Sequence, residues 1–173
     1  MTIYTVGHST RTFEEFVALL LEFKIETLVD VRKITASRYN PQYNKEVLEG
    51  GLRSNGISYI HIKELGGLRR TTKISVNTAW KNSSFRGYAD YMNTPEFAKG
   101  LYQLIKIANE SRTCIMCAEA VPWRCHRSLI GDALVIRDLS VDDIMTNTHS
   151  LPHQLTKFAR VKRHTITYPA EGG

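Results

Sequence analysis

The chain has 173 residues, 42% of them hydrophobic and 23% charged, the composition of an ordinary globular protein of one domain that hides roughly two-thirds of its extended surface on folding. No apolar run approaches the roughly 20 residues of a membrane-spanning helix, and the basic, apolar and cleavage-site pattern of a secretory signal is missing, so the sequence reads as cytoplasmic. The net charge of +6 lies wholly in residues 61–130, which hold 11 basic and 5 acidic side chains, whereas residues 1–60 balance 7 with 7 and residues 131–173 balance 5 with 5; this points to an anion-facing surface or, more plainly, to a basic solvated face.

Residues 3–7 predict a short strand ending at Gly7-His8-Ser9. Thr12 then offers an N-cap with Glu15 as its capping-box partner, and Phe13, Phe16, Val17 and Leu20 share one helical face. A second strand over residues 27–31 leads to Asp30, Val31 and Arg32. Strand, helix and strand in succession imply a right-handed crossover and a parallel sheet, with the loops that follow the strands at one edge. A helix is expected over residues 43–54, with Gly56 as its exit, and a third strand over 57–62. Residues 64–84 are the longest irregular region, and Lys63–Arg86 holds six basic residues and one acidic. Such a segment is an inert insertion, a lid or a nucleic-acid contact.

Helical spacing resumes at Phe85, Tyr88, Tyr91 and Met92. Thr94-Pro95-Glu96 is a strong helix start, continued by Phe97, Leu101, Leu104, Ile105 and Ala108. A buried strand follows at 113–117, then a loop through Arg124, a helix from His126 to Arg137 and a strand over 142–147. The fold class expected is α/β: a single Rossmann-like three-layer domain over residues 1–150, with a mostly parallel sheet, helices on both faces and a long basic loop. Residues 151–173 read as a C-terminal extension, with His164–Tyr168 an edge strand or interface segment.

Thr5-Val-Gly-His8-Ser9, Leu28-Val-Asp-Val-Arg32, Leu65-Gly-Gly67, Phe85-x-x-Tyr88, Met116-Cys-Ala-Glu119 and Pro122-x-x-Cys-His-Arg127 occur in that order. With these motifs, residues 3–136 resemble the uncharacterised domain family numbered 488. The resemblance implies an α/β domain and assigns no reaction.

Three strand-to-loop junctions carry the candidate chemistry. His8 can serve as acid, base or anion donor, and Ser9 as a helix cap or phosphate donor. Asp30 can take a proton or orient Arg32, and Arg32 can hold phosphate; a structural Asp30–Arg32 pair is the plainer account. Glu119 follows an apolar strand and is the leading catalytic carboxylate, ahead of Asp30, with the His8 imidazole a third candidate; a structural clamp of the loop is an equal account of Glu119. Arg124, Cys125, His126 and Arg127 open a helix whose free N–H groups suit an anion. Cys125 there is either a covalent nucleophile or a small buried side chain, the latter favoured. Cys114 and Cys117 fall on opposite faces of one strand, which disfavours a shared metal, and no metal site is assigned. Arg38 and Tyr43 are placed at the same mouth. Lys63, Arg69, Arg70, Lys73, Lys81 and Arg86 are candidate polyanion contacts, with Trp80 and Tyr88 as stacking surfaces if exposed.

The function expected is that of a hydrolase or lyase acting on a phosphorylated nucleoside, nucleotide or nucleic acid, N-glycosidic cleavage being preferred to phosphodiester hydrolysis. The alternatives are a non-catalytic nucleic-acid-binding module and a nucleotide or phosphate sensor. No dinucleotide fingerprint or P-loop is present, so no cofactor is expected. The partner would bear phosphate and would not be a membrane; homo-oligomerisation is left open.

Overall fold

Three strands are buried along almost their whole length in the computed structural model, which describes residues 1–171. They are β1 (Thr2–Gly7), β2 (Thr27–Asp30) and β4 (Thr113–Cys117), with β3 (Ser58–His61) preceding β4 in the chain. Burial of both alternating sets of side chains is what a parallel strand covered on both faces shows, and the polar members Thr5, Thr27, Asp30 and Thr113 are buried with the apolar ones. The remaining strands of the main sheet are β5 (Ser140–Thr146) and β6 (His149–Pro152). The sheet runs β3-β2-β4-β1-β5-β6, parallel throughout except for the antiparallel edge strand β6.

Helices α1 (Phe13–Glu22) and α2 (Lys45–Ser54) cover one face; α3 (Ser83–Tyr91), α4 (Pro95–Glu110) and α5 (Arg127–Val135) lie on the other. This is the Rossmann-like α/β arrangement expected of the sequence. The sheet divides the core into two clusters: Phe16, Leu20, Leu48 and Leu52 on one side, and Phe97, Leu104, Leu129 and Leu134 on the other. Cys114 belongs to the first and Cys117 to the second, as the two-residue period of a strand demands.

Local signals fix the helix starts. Thr12 accepts from the Glu15 N–H at 3.1 Å while Glu15 accepts from the Thr12 N–H at 3.0 Å, a complete capping box. Thr94 caps α4, with Pro95 in its first turn. The helix expected from residue 43 begins instead at Lys45, because Pro41–Tyr43 forms a separate 3-10 turn.

Beyond β6 the chain packs back onto α5. A two-stranded hairpin, β7 (Arg160–Lys162) with β8 (Thr165–Thr167), stands apart from the main sheet. The expected edge strand over 164–168 is therefore half of that hairpin, and the main sheet's edge is β6. Tyr168 is fully buried, and its N–H donates to the Asn77 side chain at 2.9 Å. Of the C-terminal extension, residues 172 and 173 lie outside the described residues.

Candidate functional site

The C-terminal ends of β1, β2 and β4 lie side by side, and the ladder between β1 and β4 continues past the strands. The His8 N–H donates to the Cys117 carbonyl and the Ser9 N–H to the Ala118 carbonyl, each at 2.9 Å. Gly7 is needed at this crossing, since a Cβ there would stand 1.5 Å from the Glu119 carbonyl oxygen. Arg127 holds the loop above it. Its buried guanidinium donates to the Glu119 and Ala120 carbonyls at 3.2 and 3.1 Å and to the Thr5 hydroxyl at 3.4 Å. Arg127 is thus a clamp beneath the loop and is not exposed to a ligand.

The loop forms one wall of a cavity of about 400 Å³, within the range of small-molecule sites. Arg32, Lys33 and Arg124 bring basic charge to its lining against the single carboxylate of Glu119, and Asn82 and Ser84 add neutral polar groups. Cys117, Cys125 and His126 line it as well. The His126 Nε2 lies 2.8 Å from the Val31 carbonyl oxygen, to which it can only donate, so Nδ1 is turned toward the Cys125 sulfur 3.5 Å away. Sulfur, imidazole and orienting carbonyl make the nucleophile, base and orienter sequence of a thiol enzyme. Hydrogen bonding from the Cys117 side chain, then from His126 and the Arg127 N–H at the start of α5, holds Cys125 well below the usual thiol range despite burial. Burial, and Cys125 beside it, push Cys117 the other way. Of the two sulfurs, Cys125 is the one whose surroundings favour the thiolate.

Asp30 is fully buried and its oxygens are engaged. Arg32 binds it through Nε at 2.9 Å and through a terminal nitrogen at 2.7 Å, its backbone N–H adds a third bond at 3.0 Å, and the Tyr59 hydroxyl donates at 2.5 Å. Arg32 also donates to the Tyr43 carbonyl. The pair positions the Arg32–Lys33 segment at the cavity. His8 stacks on Tyr43 at 4.0 Å, with Nδ1 on the Ser9 carbonyl. Among the described residues its buried Nε2 has no partner, and burial lowers its pKa to about 4. Ser9 adopts a positive φ of 52° beside it, a cost carried at the loop crossing. Glu119 is exposed at the cavity rim. Arg38 is exposed and does not line the cavity.

The basic segment passes the same mouth. Gly67 and Leu68 line the cavity, and Gly87 in α3 admits the chain where a Cβ would stand 2.0 Å from the Arg69 carbonyl oxygen. Arg69 lies over the Tyr91 ring and donates to the Gly66 and Lys63 carbonyls; Arg86 donates to the Trp80 carbonyl. Lys63, Arg70, Lys73 and Lys81 are exposed. Packing takes up the two aromatic residues. Trp80 sits among Phe85, Phe158 and Tyr168, and buried Tyr88 donates to the Leu65 carbonyl at 2.8 Å. Tyr88 is buried and offers no free face for stacking, while half-buried Trp80 packs on Phe158 and Tyr168 and lines the larger cavity instead.

A larger cavity, about 540 Å³, lies beyond Pro122 and Trp123 and reaches His153 and Asp143. His153 bridges Asp132 at 2.9 Å and Asp143 at 3.1 Å, and its pKa is raised to about 9: burial opposes the charge, and the two carboxylates outweigh it. Asp132 also accepts from the Thr156 hydroxyl and N–H and from the Tyr168 hydroxyl. Its titrating groups are all occupied by one another, whereas the smaller cavity presents the Cys125 sulfur with the His126 Nδ1 turned toward it. We take the smaller as the site.

Sequence reasoning missed Lys33, Asn82 and Ser84 as lining residues and the Val31 carbonyl as orienter. Lys33 had a signal in its place beside Arg32; the others had none, since the contact is made across the sheet edge. No curated protein and no solved structure matches the chain. Residues 12–134 match the family described as Domain of unknown function DUF488, a span of more than half the chain that lies within the stretch carrying the motifs, and the chain belongs to that family.

Proposed function

We propose that this chain is an enzyme that cleaves the N-glycosidic bond of a phosphorylated nucleoside, as a free nucleotide or within a nucleic-acid strand, through a covalent step at Cys125. The observation that carries this reading is the Cys125–His126–Val31 arrangement in a cavity with a basic lining. Lys33 and Arg124 would meet the phosphate. The Cys125 thiolate attacks the sugar C1′ as the C1′–N bond breaks, and the departing base takes the bonding pair and a proton from His126 Nδ1. Water then attacks C1′ and gives that nitrogen a proton as the thiolate leaves, which restores the starting pair. Glu119 at the rim would steady positive charge on the sugar. Asp30 positions Arg32, and His8, neutral at pH 7, is held close to the loop it supports.

The test is release of free base from nucleoside 5′-monophosphates and short single-stranded oligonucleotides, followed by chromatography, with a 2′-fluoro nucleotide to trap the sulfur-linked sugar. Release that Cys125→Ser abolishes, with an adduct mapping to Cys125, is the expected result. Release undiminished in that variant overturns it. A second reading, a nucleic-acid-binding module without turnover, draws on the exposed Lys63, Arg70, Lys73 and Lys81. It would take over if oligonucleotide binds, weakens steeply with salt and is recovered intact.

A further inference from the structure

Cys117 ends β4 and Cys125 immediately precedes α5's N-cap, with the loop 118–124 between them. Both residues line the same cavity and belong to the same buried cluster, and both are unbridged. The third cysteine, Cys114, points to the opposite face of the sheet and is wholly buried. A sulfur 3.5 Å from an imidazole nitrogen, with a second thiol on the wall of the same cavity, is the arrangement of a peroxide-sensitive pair.

We propose that Cys117 and Cys125 form a reversible disulfide on exposure to a hydroperoxide. The Cys125 sulfur attacks the peroxide: an S–O bond forms, the O–O bond breaks, and the leaving oxygen departs once protonated, as water from hydrogen peroxide or as an alcohol from an organic hydroperoxide. Sulfur is thereby oxidised by two electrons and the peroxide reduced. Cys117 then attacks the sulfenic sulfur. The S–S bond forms as the S–O bond breaks, and the hydroxyl leaves as water with the Cys117 proton. The disulfide itself is independent of the substrate assignment; that it switches off turnover rests on the reading of Cys125 as nucleophile.

The experiment treats the whole chain with hydrogen peroxide, alkylates the remaining thiols after denaturation, and digests with trypsin. Cleavage after Arg112, Arg124 and Arg127 puts Cys114 and Cys117 in peptide 113–124 and Cys125 in peptide 125–127. The expected product is these two peptides joined, about 2 Da lighter than the separate thiols, with fragmentation placing the link at Cys117 and the alkyl group at Cys114. Dithiothreitol separates them. In Cys117→Ser the expected product is a Cys125 sulfenic acid captured by dimedone. Should that variant fail to fold, the native chain still decides the matter. Recovery of peptide 125–127 as an alkylated thiol or a sulfinic acid with Cys117 free, or a link only between two chains, overturns the proposal. A joined pair in a protein that releases no base removes the glycosidase reading and leaves the disulfide. Base release dependent on Cys125 with no joined pair does the reverse.

Discussion

Two histidine clusters flank α5, and they differ in what their buried groups are free to do. On one side His153 is bound at both nitrogens by Asp132 and Asp143, and Asp132 is shared with Thr156 and Tyr168. On the other His126 has one nitrogen on the Val31 carbonyl and the second facing Cys125 across 3.5 Å, beside an open cavity. A fully satisfied network fixes one arrangement of chain and resists change. A pair whose sulfur opens onto a cavity keeps chemistry in reserve. The two are joined through Arg127, Thr5 and Asp143, so the satisfied side holds the helix on which the open side depends.

The sharpest way to break that contrast is Cys125→Ser. On the proposed mechanism base release falls roughly a thousandfold or more, while the thermal midpoint moves little; full activity would deny the open side its role. Next in size is Asp132→Ala, which leaves His153, Thr156 and Tyr168 without their shared acceptor. Urea unfolding is expected to show a loss on the order of 3–5 kcal/mol, and a loss below about 1 kcal/mol would mean the hub holds nothing.

Stability against pH sharpens the comparison further. The His153 pKa is raised to about 9, so its contribution is complete below about 6.5, the unfolded value, and is lost as pH rises through 9. His8 is lowered to about 4. Protonation of the unfolded chain below about 6.5 therefore destabilises the fold as pH falls toward 4. A maximum near pH 6.5 is expected, with a decline on the order of 3 kcal/mol toward each end from these two groups. His153→Gln should flatten the alkaline limb alone, which unfolding at pH 6.5 and 9 would check. The smallest effect belongs to Arg124→Ala: exposed at the rim, it should raise KM about threefold to tenfold with little change in kcat.

Local signals in the sequence translated into structure wherever the cause was local. The Thr12–Glu15 box and the Thr94-Pro95 start need only neighbouring residues, and the short apolar cores Leu28-Val29 and Cys114–Cys117 are enough to mark buried strands. Strand order was not legible, because nothing near β1 says that β4 and β5 will flank it. The same limit hid the state of Cys125, which depends on Cys117, on the α5 N-terminus and, through His126, on a carbonyl 94 positions earlier at Val31. It also hid the enclosure of Trp80 by Phe158 and Tyr168. His153 carried no sign of its role, since its carboxylates come from α5 and β5.

The central place of β1 has a further consequence for how the protein is made. Its two neighbours begin at Thr113 and Ser140, so more than 100 residues must follow Gly7 before the first can pair with it. At about 5–20 residues per second of synthesis, the strand that leads into His8 waits on the order of ten seconds with its apolar side chains uncovered. The junction of β1 with β4, where the site is assembled, is therefore a late event on the ribosome. Through that interval the nascent chain is most open to chaperones and to pairing with the wrong strand.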